Sequence, residues 1–163
     1  MLDSNSIPTE GNIAASPVVI RFPANATLQV MAQTNAAWRQ LVEIQDQSTG
    51  RVYILTGQGE GVPMNLENPE DGDFSGFGGS LPGAFSLSRI DDPNEADRVI
   101  SVVCKYSRSE GGGGFDDYSR VRVRKMPDHG GPVQQWELGA EDGADDDYND
   151  VIIHVMAFPA GMH

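Results

Sequence analysis

Short runs of β-branched and apolar residues, punctuated by turn residues, occur along most of the chain, and no helical period accompanies them. The clearest alternation places Arg120, Arg122 and Arg124 on one face of a strand and Val121 and Val123 on the other. Such a pattern is typical of a half-buried strand whose basic face is solvated. Strands are predicted over residues 17–22, 27–34, 38–46, 51–56, 84–89, 97–106, 118–126, 132–139 and 150–158.

These elements predict an all-β fold, an antiparallel β-sandwich of about nine strands. With 163 residues, 19 of them Gly and 10 Pro, the chain fits a single domain, residues 1–163, with long loops. The strand rhythm stops at residues 57–83, which we predict to be a long inserted loop. Residues 1–16 are predicted to form a flexible N-terminal segment.

Charge and composition exclude several classes of partner. The net charge of −13 argues against nucleic acid, because binding to phosphates relies on basic surface. Membrane insertion is not expected, since no apolar run approaches the roughly 20 residues of a spanning helix. Residues 1–6 lack the basic and apolar regions of a signal peptide, so we expect a cytoplasmic protein or one exported without a classical signal peptide. Cys104 lies in an apolar strand and is interpreted as a buried small hydrophobe.

The most informative segment is the run EDGADDDYND, in which six of the ten residues from Glu141 to Asp150 are acidic. Neighbouring carboxylates oppose one another's ionisation unless a cation supplies compensating charge. Because the run lies between two strand-like segments, we interpret it as a loop within the fold, not as a solvated charge run. Oxygen ligands at this density favour Ca²⁺, which takes roughly 6–8 of them. The loop lacks the glycine, the glutamate and the flanking helices of an EF-hand.

Two separate blocks resemble the bacterial calcium-mediated fucose/mannose-binding lectins. The run from Glu141 to Asp150 is similar to the calcium loop of that family, and the sequence Phe22-Pro23-Ala24-Asn25 is similar to its N-terminal motif. Asn35 follows ten residues later, where the family places another calcium-binding asparagine. The resemblance implies a small β-sandwich in which two adjacent calcium ions coordinate a sugar directly.

The resemblance also implies roles for individual residues. One calcium ion would be held by Glu141, Asp145, Asp147 and Asp150, and the second by Asn35, Asp147, Asn149 and Asp150. Asp142 would accept a hydrogen bond from the sugar, and the loop Asn35–Ala37 would tune the choice of monosaccharide, with Ala36 resembling the mannose-binding variants. The full sugar-binding set is then Asn35, Ala36, Ala37, Trp38, Asp142, Asp145, Asp147, Asn149 and Asp150.

The two tryptophans lie in different sequence contexts, and the C-terminus differs from that of the family. Trp136 lies in mid-strand, which favours the core, whereas stacking on a sugar and packing within the fold are equally supported for Trp38. In the family, the terminal carboxylate of a glycine completes the site of a partner subunit, which implies a homo-oligomer. Here Gly161 is followed by two further residues, so the resemblance does not transfer that contact.

The leading hypothesis from the sequence is a calcium-dependent carbohydrate-binding lectin without catalysis, whose partners are mannose- or fucose-type glycans. The alternative is a calcium-stapled structural, adhesin-like or toxin-like β-sandwich whose partner is a protein surface. An enzyme is not expected. Carboxylates committed to calcium do not serve readily as a tuned acid and base, and the histidines show no triad spacing.

Overall fold

The computed structural model describes residues 12–14, 17–70, 83–87, 97–108, 114–115, 117–126, 133–142 and 149–159. All strand pairings within this part of the chain are antiparallel, which confirms the predicted all-β antiparallel fold, with eleven strands described where about nine were expected. The strands are β1 (Asn12–Ala14), β2 (Val18–Pro23), β3 (Thr27–Asp46), β4 (Val52–Pro63), β5 (Asn65–Leu66), β6 (Ala84–Leu87), β7 (Asp97–Ser107), β8 (Asp117–Tyr118), β9 (Arg120–Met126), β10 (Gln134–Glu141) and β11 (Val151–Phe158). Across the described residues, no helix has the length and apolar character needed to cross a membrane.

Strand β3 connects the two sheets of the sandwich. One edge of β3 pairs first with β6 and then with β4, while the other edge pairs with β11 over Thr27–Thr34 and with β7 over Arg39–Asp46. Strands β11, β10, β9 and β1 continue one sheet, and β7 with β2 and β8 continues the other. At residues 35–38, this second edge of β3 therefore changes its partner from β11 to β7.

Among the described residues, one hydrophobic cluster holds side chains from both sheets. On β9, Val121 and Val123 are fully buried and the alternating arginines are exposed, as the alternation predicts. The interpretations of Trp136 and Cys104 as core residues are also confirmed, since both side chains are buried. Burial raises the pKa of the Cys104 thiol to about 12, because the interior disfavours the thiolate.

Three segments differ from the sequence prediction. Residues 27–34 and 38–46 form one strand, because β3 continues through residues 35–37 and pairs with β4 on both sides of a bulge. The loop predicted at 57–83 contains the end of β4 and all of β5, while residues 71–82 lie outside the described part. Residues 58–63 are mostly exposed and are held by backbone pairing with β3. Because they are not buried, their sequence shows no apolar pattern. Strand β1, inside the predicted flexible segment, pairs with β9.

Candidate functional site

The acidic run begins and ends at two neighbouring strands. Glu141 ends β10, Val151 begins β11, and the register pairs Ala140 with Val151. The N–H of Asp150 donates to the carbonyl of Ala140 at 3.1 Å, so the two ends of the connection are held together. The carboxylates of Glu141, Asp142 and Asp150 lie within 4.8 Å of one another. This acidic corner, defined by those three residues, is the densest group of potential metal ligands among the described residues.

Asp150 is the carboxylate most affected by its neighbours. Its side chain is buried, with 9% exposed, and its Oδ2 accepts the backbone N–H of Asp142 at 2.8 Å. Burial raises the pKa of Asp150, the hydrogen bonds from Asp142 N–H and Glu141 oppose the rise, and the Asp142 carboxyl group adds to it. A cation bound here would stabilise the ionised form that burial disfavours.

Asn35 lies beside the acidic corner, although it is 114 residues from Asn149 in the sequence. The preceding Thr34 pairs with Val151, which aligns β3 with the start of β11. The backbone N–H of Asn35 donates to the carbonyl of Asp150 at 2.8 Å, and its Nδ2 donates to the carbonyl of Asn149 at 2.9 Å. The structure thus brings together two segments that the sequence singled out independently.

A glycine-rich bulge in β4 orients the Asn35 side chain. The N–H of Gly61 donates to Asn35 Oδ1 at 2.8 Å, which leaves a second lone pair on that oxygen for a ligand. Gly59 and Gly61 have φ values of 111° and 63°, a region that other residues rarely adopt. The sequence signal was available, because glycines at alternate positions inside a strand mark a bulge, but the segment was predicted to be a loop.

Gln40 is a further residue of the site that the sequence did not indicate. Its side chain is fully buried, and its Nε2 donates to Asp142 Oδ2 at 2.7 Å and to the carbonyl of Trp38 at 3.1 Å. Gln40 therefore fixes the orientation of the Asp142 carboxylate. A glutamine in a strand carries no pattern that distinguishes this role, so only the fold reveals it.

The remaining predicted site residues differ in their exposure, and two of them are not described. The side chain of Ala36 is buried, whereas Ala37 and Trp38 are exposed. The carbonyl of Ala37 accepts Gln58 Nε2 at 2.6 Å, which anchors this part of β3 to β4. Asp145 and Asp147, the expected shared ligands of two ions, lie outside the described residues.

The donor set of the corner fits a hard divalent cation. Three carboxylates and the Asn35 amide oxygen offer only oxygen atoms, which suit Ca²⁺ or Mg²⁺ better than softer transition metals. Glu141 and Asp150 are buried, whereas Asp142 is partly exposed. The arrangement can therefore hold an ion, and Asp142 is the carboxylate that remains partly accessible to a ligand.

The fold and this corner define a class: an antiparallel β-sandwich with an oxygen-rich site at one end. A model of the family described as fucose-binding lectin II (PA-IIL) matches residues 20–158, and the chain belongs to this family. It is therefore a carbohydrate-binding lectin, a class of proteins that bind sugars without catalysis. Comparison with curated protein sequences finds no match.

Three solved structures share the fold. A Chromobacterium violaceum lectin in complex with alpha-methyl-fucoside is 20% identical, with a TM-score of 0.56, and the match covers 88% of this chain and 96% of that one. The C-terminal domain of a Burkholderia cenocepacia lectin is 23% identical, with a TM-score of 0.57 and coverage of 91% and 100%. The Ralstonia solanacearum high-affinity mannose-binding lectin is 22% identical, with a TM-score of 0.56 and coverage of 88% and 96%.

Proposed function

We propose that the protein is a calcium-dependent lectin that binds mannose- or fucose-type glycans through two calcium ions at the acidic corner. The observation that carries the proposal is the junction of Asn35 with Asn149 and Asp150, next to three clustered carboxylates. These are the two segments that the sequence resemblance identifies as calcium ligands. Asp145 and Asp147 complete the ligand set in the proposal.

Each described residue has a definable task in this site. Glu141 and Asp150 supply negative charge in a buried setting, and the Asn35 amide oxygen extends the ligand set toward β3. Asp142, held by Gln40, accepts a hydrogen bond from a sugar hydroxyl. Calcium held by these residues would offer coordination positions to vicinal hydroxyls in place of water, so that hydroxyl configuration would determine which sugars bind.

The sugar class follows from the family and from the loop beside Asn35. Two of the similar structures bear names that mention a fucoside and mannose. Ala36 leans toward mannose in the resemblance, and because its methyl group is buried, the exposed part of the loop is formed by Ala37 and Trp38. We infer a mannose or fucose unit at the corner, in a homo-oligomer that presents several such sites.

Calorimetric titration tests the proposal directly. Methyl α-mannoside and methyl α-fucoside are titrated into the protein in calcium and in EGTA, together with the variants Asp150→Asn and Asn35→Ala. We expect sugar binding in calcium only, and its loss in both variants. The matched control is Asp97→Asn, which neutralises an exposed carboxylate at the far end of β7 and is expected to bind as the wild type does. Calcium-independent binding, or no binding to either sugar, contradicts the proposal.

A structural calcium staple is the alternative, and melting temperatures separate it from the lectin. Both functions predict that EGTA lowers the melting temperature, because calcium binds only the folded state. Sugar should raise the melting temperature further only in a lectin, and only when calcium is present. A calcium effect with no added effect of mannose or fucose favours the staple.

A further inference from the structure

Trp38 is held in an unusual position beside the acidic corner. In the bulge of β3, Ala37, Trp38 and Arg39 lie opposite the single residue Gln58 of β4, so the strand bows outward there. The Trp38 side chain is 37% exposed, although tryptophan is costly to leave in water. Its position is nevertheless fixed by defined contacts.

Those contacts form a stack of two rings with a guanidinium beside it. The Trp38 ring lies parallel to the Tyr106 ring, with centroids 5.7 Å apart and an angle of 6°. Tyr106 is buried in β7, and the Arg108 guanidinium lies 5.7 Å from the Trp38 centroid and 5.6 Å from the Tyr106 centroid. Arg108 Nη2 donates to Tyr106 Oη at 3.1 Å, and its Nε lies 3.4 Å from Asp117. The stack is therefore ordered before any ligand binds.

The stack is joined to the acidic corner. Gln40 Nε2 donates both to the Trp38 carbonyl and to Asp142 Oδ2, so these two acceptors share one donor. Arg108 is also close enough to Asp142 to be influenced by its charge: the pKa of Arg108 is raised by Tyr106, by Asp117 and, to a smaller extent, by Asp142. Gln40 thus links Asp142 to the backbone of the residue that carries the exposed ring.

We propose that Trp38, Tyr106 and Arg108 form a second sugar subsite, which binds the unit linked to the one held at the acidic corner. The inference rests on the proposed function and extends it from monosaccharides to disaccharides and longer glycans. An aromatic surface that is already held in place suits the apolar C–H face of a pyranose, because little side-chain entropy is lost when the sugar stacks on it. Arg108 adds N–H donors for hydroxyl groups at the edge of that ring.

Calorimetry with paired ligands tests the subsite. Methyl α-mannoside is compared with the α1-2, α1-3 and α1-6 mannobioses, and methyl α-fucoside with an α1-2 fucosyl-galactose, all in calcium. We expect at least one disaccharide to bind the wild type more tightly than its monosaccharide. Trp38→Ala should weaken that disaccharide about threefold to tenfold more than it weakens the monosaccharide, the range of one aromatic contact.

Two variants serve as controls. Trp38→Phe keeps an aromatic ring at the same position and should retain most of the disaccharide affinity. Tyr118→Ala removes another exposed aromatic ring, which contacts Lys105 Nζ at 5.2 Å, and should change neither affinity. The calcium-induced rise in melting temperature verifies that Trp38→Ala is folded with an intact corner.

The possible failures are distinguishable. If monosaccharides bind in a calcium-dependent manner but no disaccharide binds more tightly, or Trp38→Ala weakens both ligands equally or neither, the subsite is overturned and the proposed function stands. If the wild type binds no sugar in calcium, the proposed function fails and the subsite with it.

Discussion

Two buried carboxylates near β3 have opposite surroundings. Asp46, at the end of the strand, is fully buried and receives the Arg98 guanidinium, whose own side chain is only 4% exposed. Asp150, beside the middle of the strand, lies among the carboxylates of Glu141 and Asp142. The first carboxylate is neutralised by the chain itself. The second has a raised pKa, and its surroundings suit an added cation.

The difference separates a structural charge from a functional one. A buried ion pair stabilises little overall, because desolvation offsets the attraction, but the loss of one partner is severe. Clustered acids, in contrast, are destabilising alone and become favourable when a cation binds. The cluster lies where β3 changes its partner from β11 to β7, and none of its three carboxylates belongs to the hydrophobic core.

Removal of Arg98 is the change with the largest expected effect. Arg98→Met should lower the free energy of unfolding by about 3–5 kcal/mol, because Asp46 remains buried without its partner. Urea denaturation in EGTA measures the loss, and calcium should not reverse it. Arg124→Met is the control, since its pair with Glu137 is largely exposed and should contribute less than about 1 kcal/mol. Equal losses of stability in the two variants would contradict the proposed difference between the buried and the exposed ion pair.

Each calcium ion should stabilise the wild type by about 2.7 kcal/mol at a free concentration one hundred times its dissociation constant. Asp150→Asn should lose most of this gain. In EGTA the same variant should be at least as stable as the wild type, because the amide removes repulsion and its oxygen still accepts the Asp142 N–H. Urea denaturation in both conditions measures the effect. A large loss of stability in EGTA would show that the Asp150 charge is structural, as at Asp46.

The pH dependence should reverse with calcium. The folded pKa of Asp150 lies above its ordinary 3.8, so between these values the folded state binds more protons than the unfolded state. In EGTA, the stability contributed by Asp150 should therefore rise as pH falls through its raised folded pKa toward that ordinary value. In calcium, stability should fall over the same range, since protons compete with the ion. The difference in melting temperature between the wild type and Asp150→Asn, followed over this pH range, isolates the contribution of Asp150. A difference that changes with pH in the same direction in both buffers would contradict the prediction.

Cys104 is a third buried group, and it needs no charged partner because its thiol is neutral. The effect predicted for it is the smallest. With a pKa of about 12, the thiol stays neutral, and burial prevents access. A thiol reagent at about pH 8 should leave the folded protein unmodified and react after unfolding in urea. Rapid reaction of the native protein would show that β7 opens locally.

Much of the fold could be predicted from local sequence. The alternation of Val121 and Val123 with arginines, like the apolar run around Cys104, depends only on which face of a strand is buried. The acidic run indicated a cation because the repulsion of its carboxylates is evident from spacing alone. The resemblance at Asn35 supplied a second part of the site, and the structure places it against Asn149.

Other features depend on contacts between distant strands, and these only the tertiary structure decided. Strand β3 continues through residues 35–38 because it pairs with β4 on both sides of that stretch. No apolar pattern in the sequence predicts this pairing. Gln40, Gly61 and Arg108 acquire their roles from hydrogen bonds and ring contacts to residues on other strands or beyond a turn. Sequence alone determined which segments are buried and where negative charge accumulates. The tertiary structure decided which polar atoms meet, because a hydrogen bond requires two groups within about 3 Å and sequence separation does not constrain that distance.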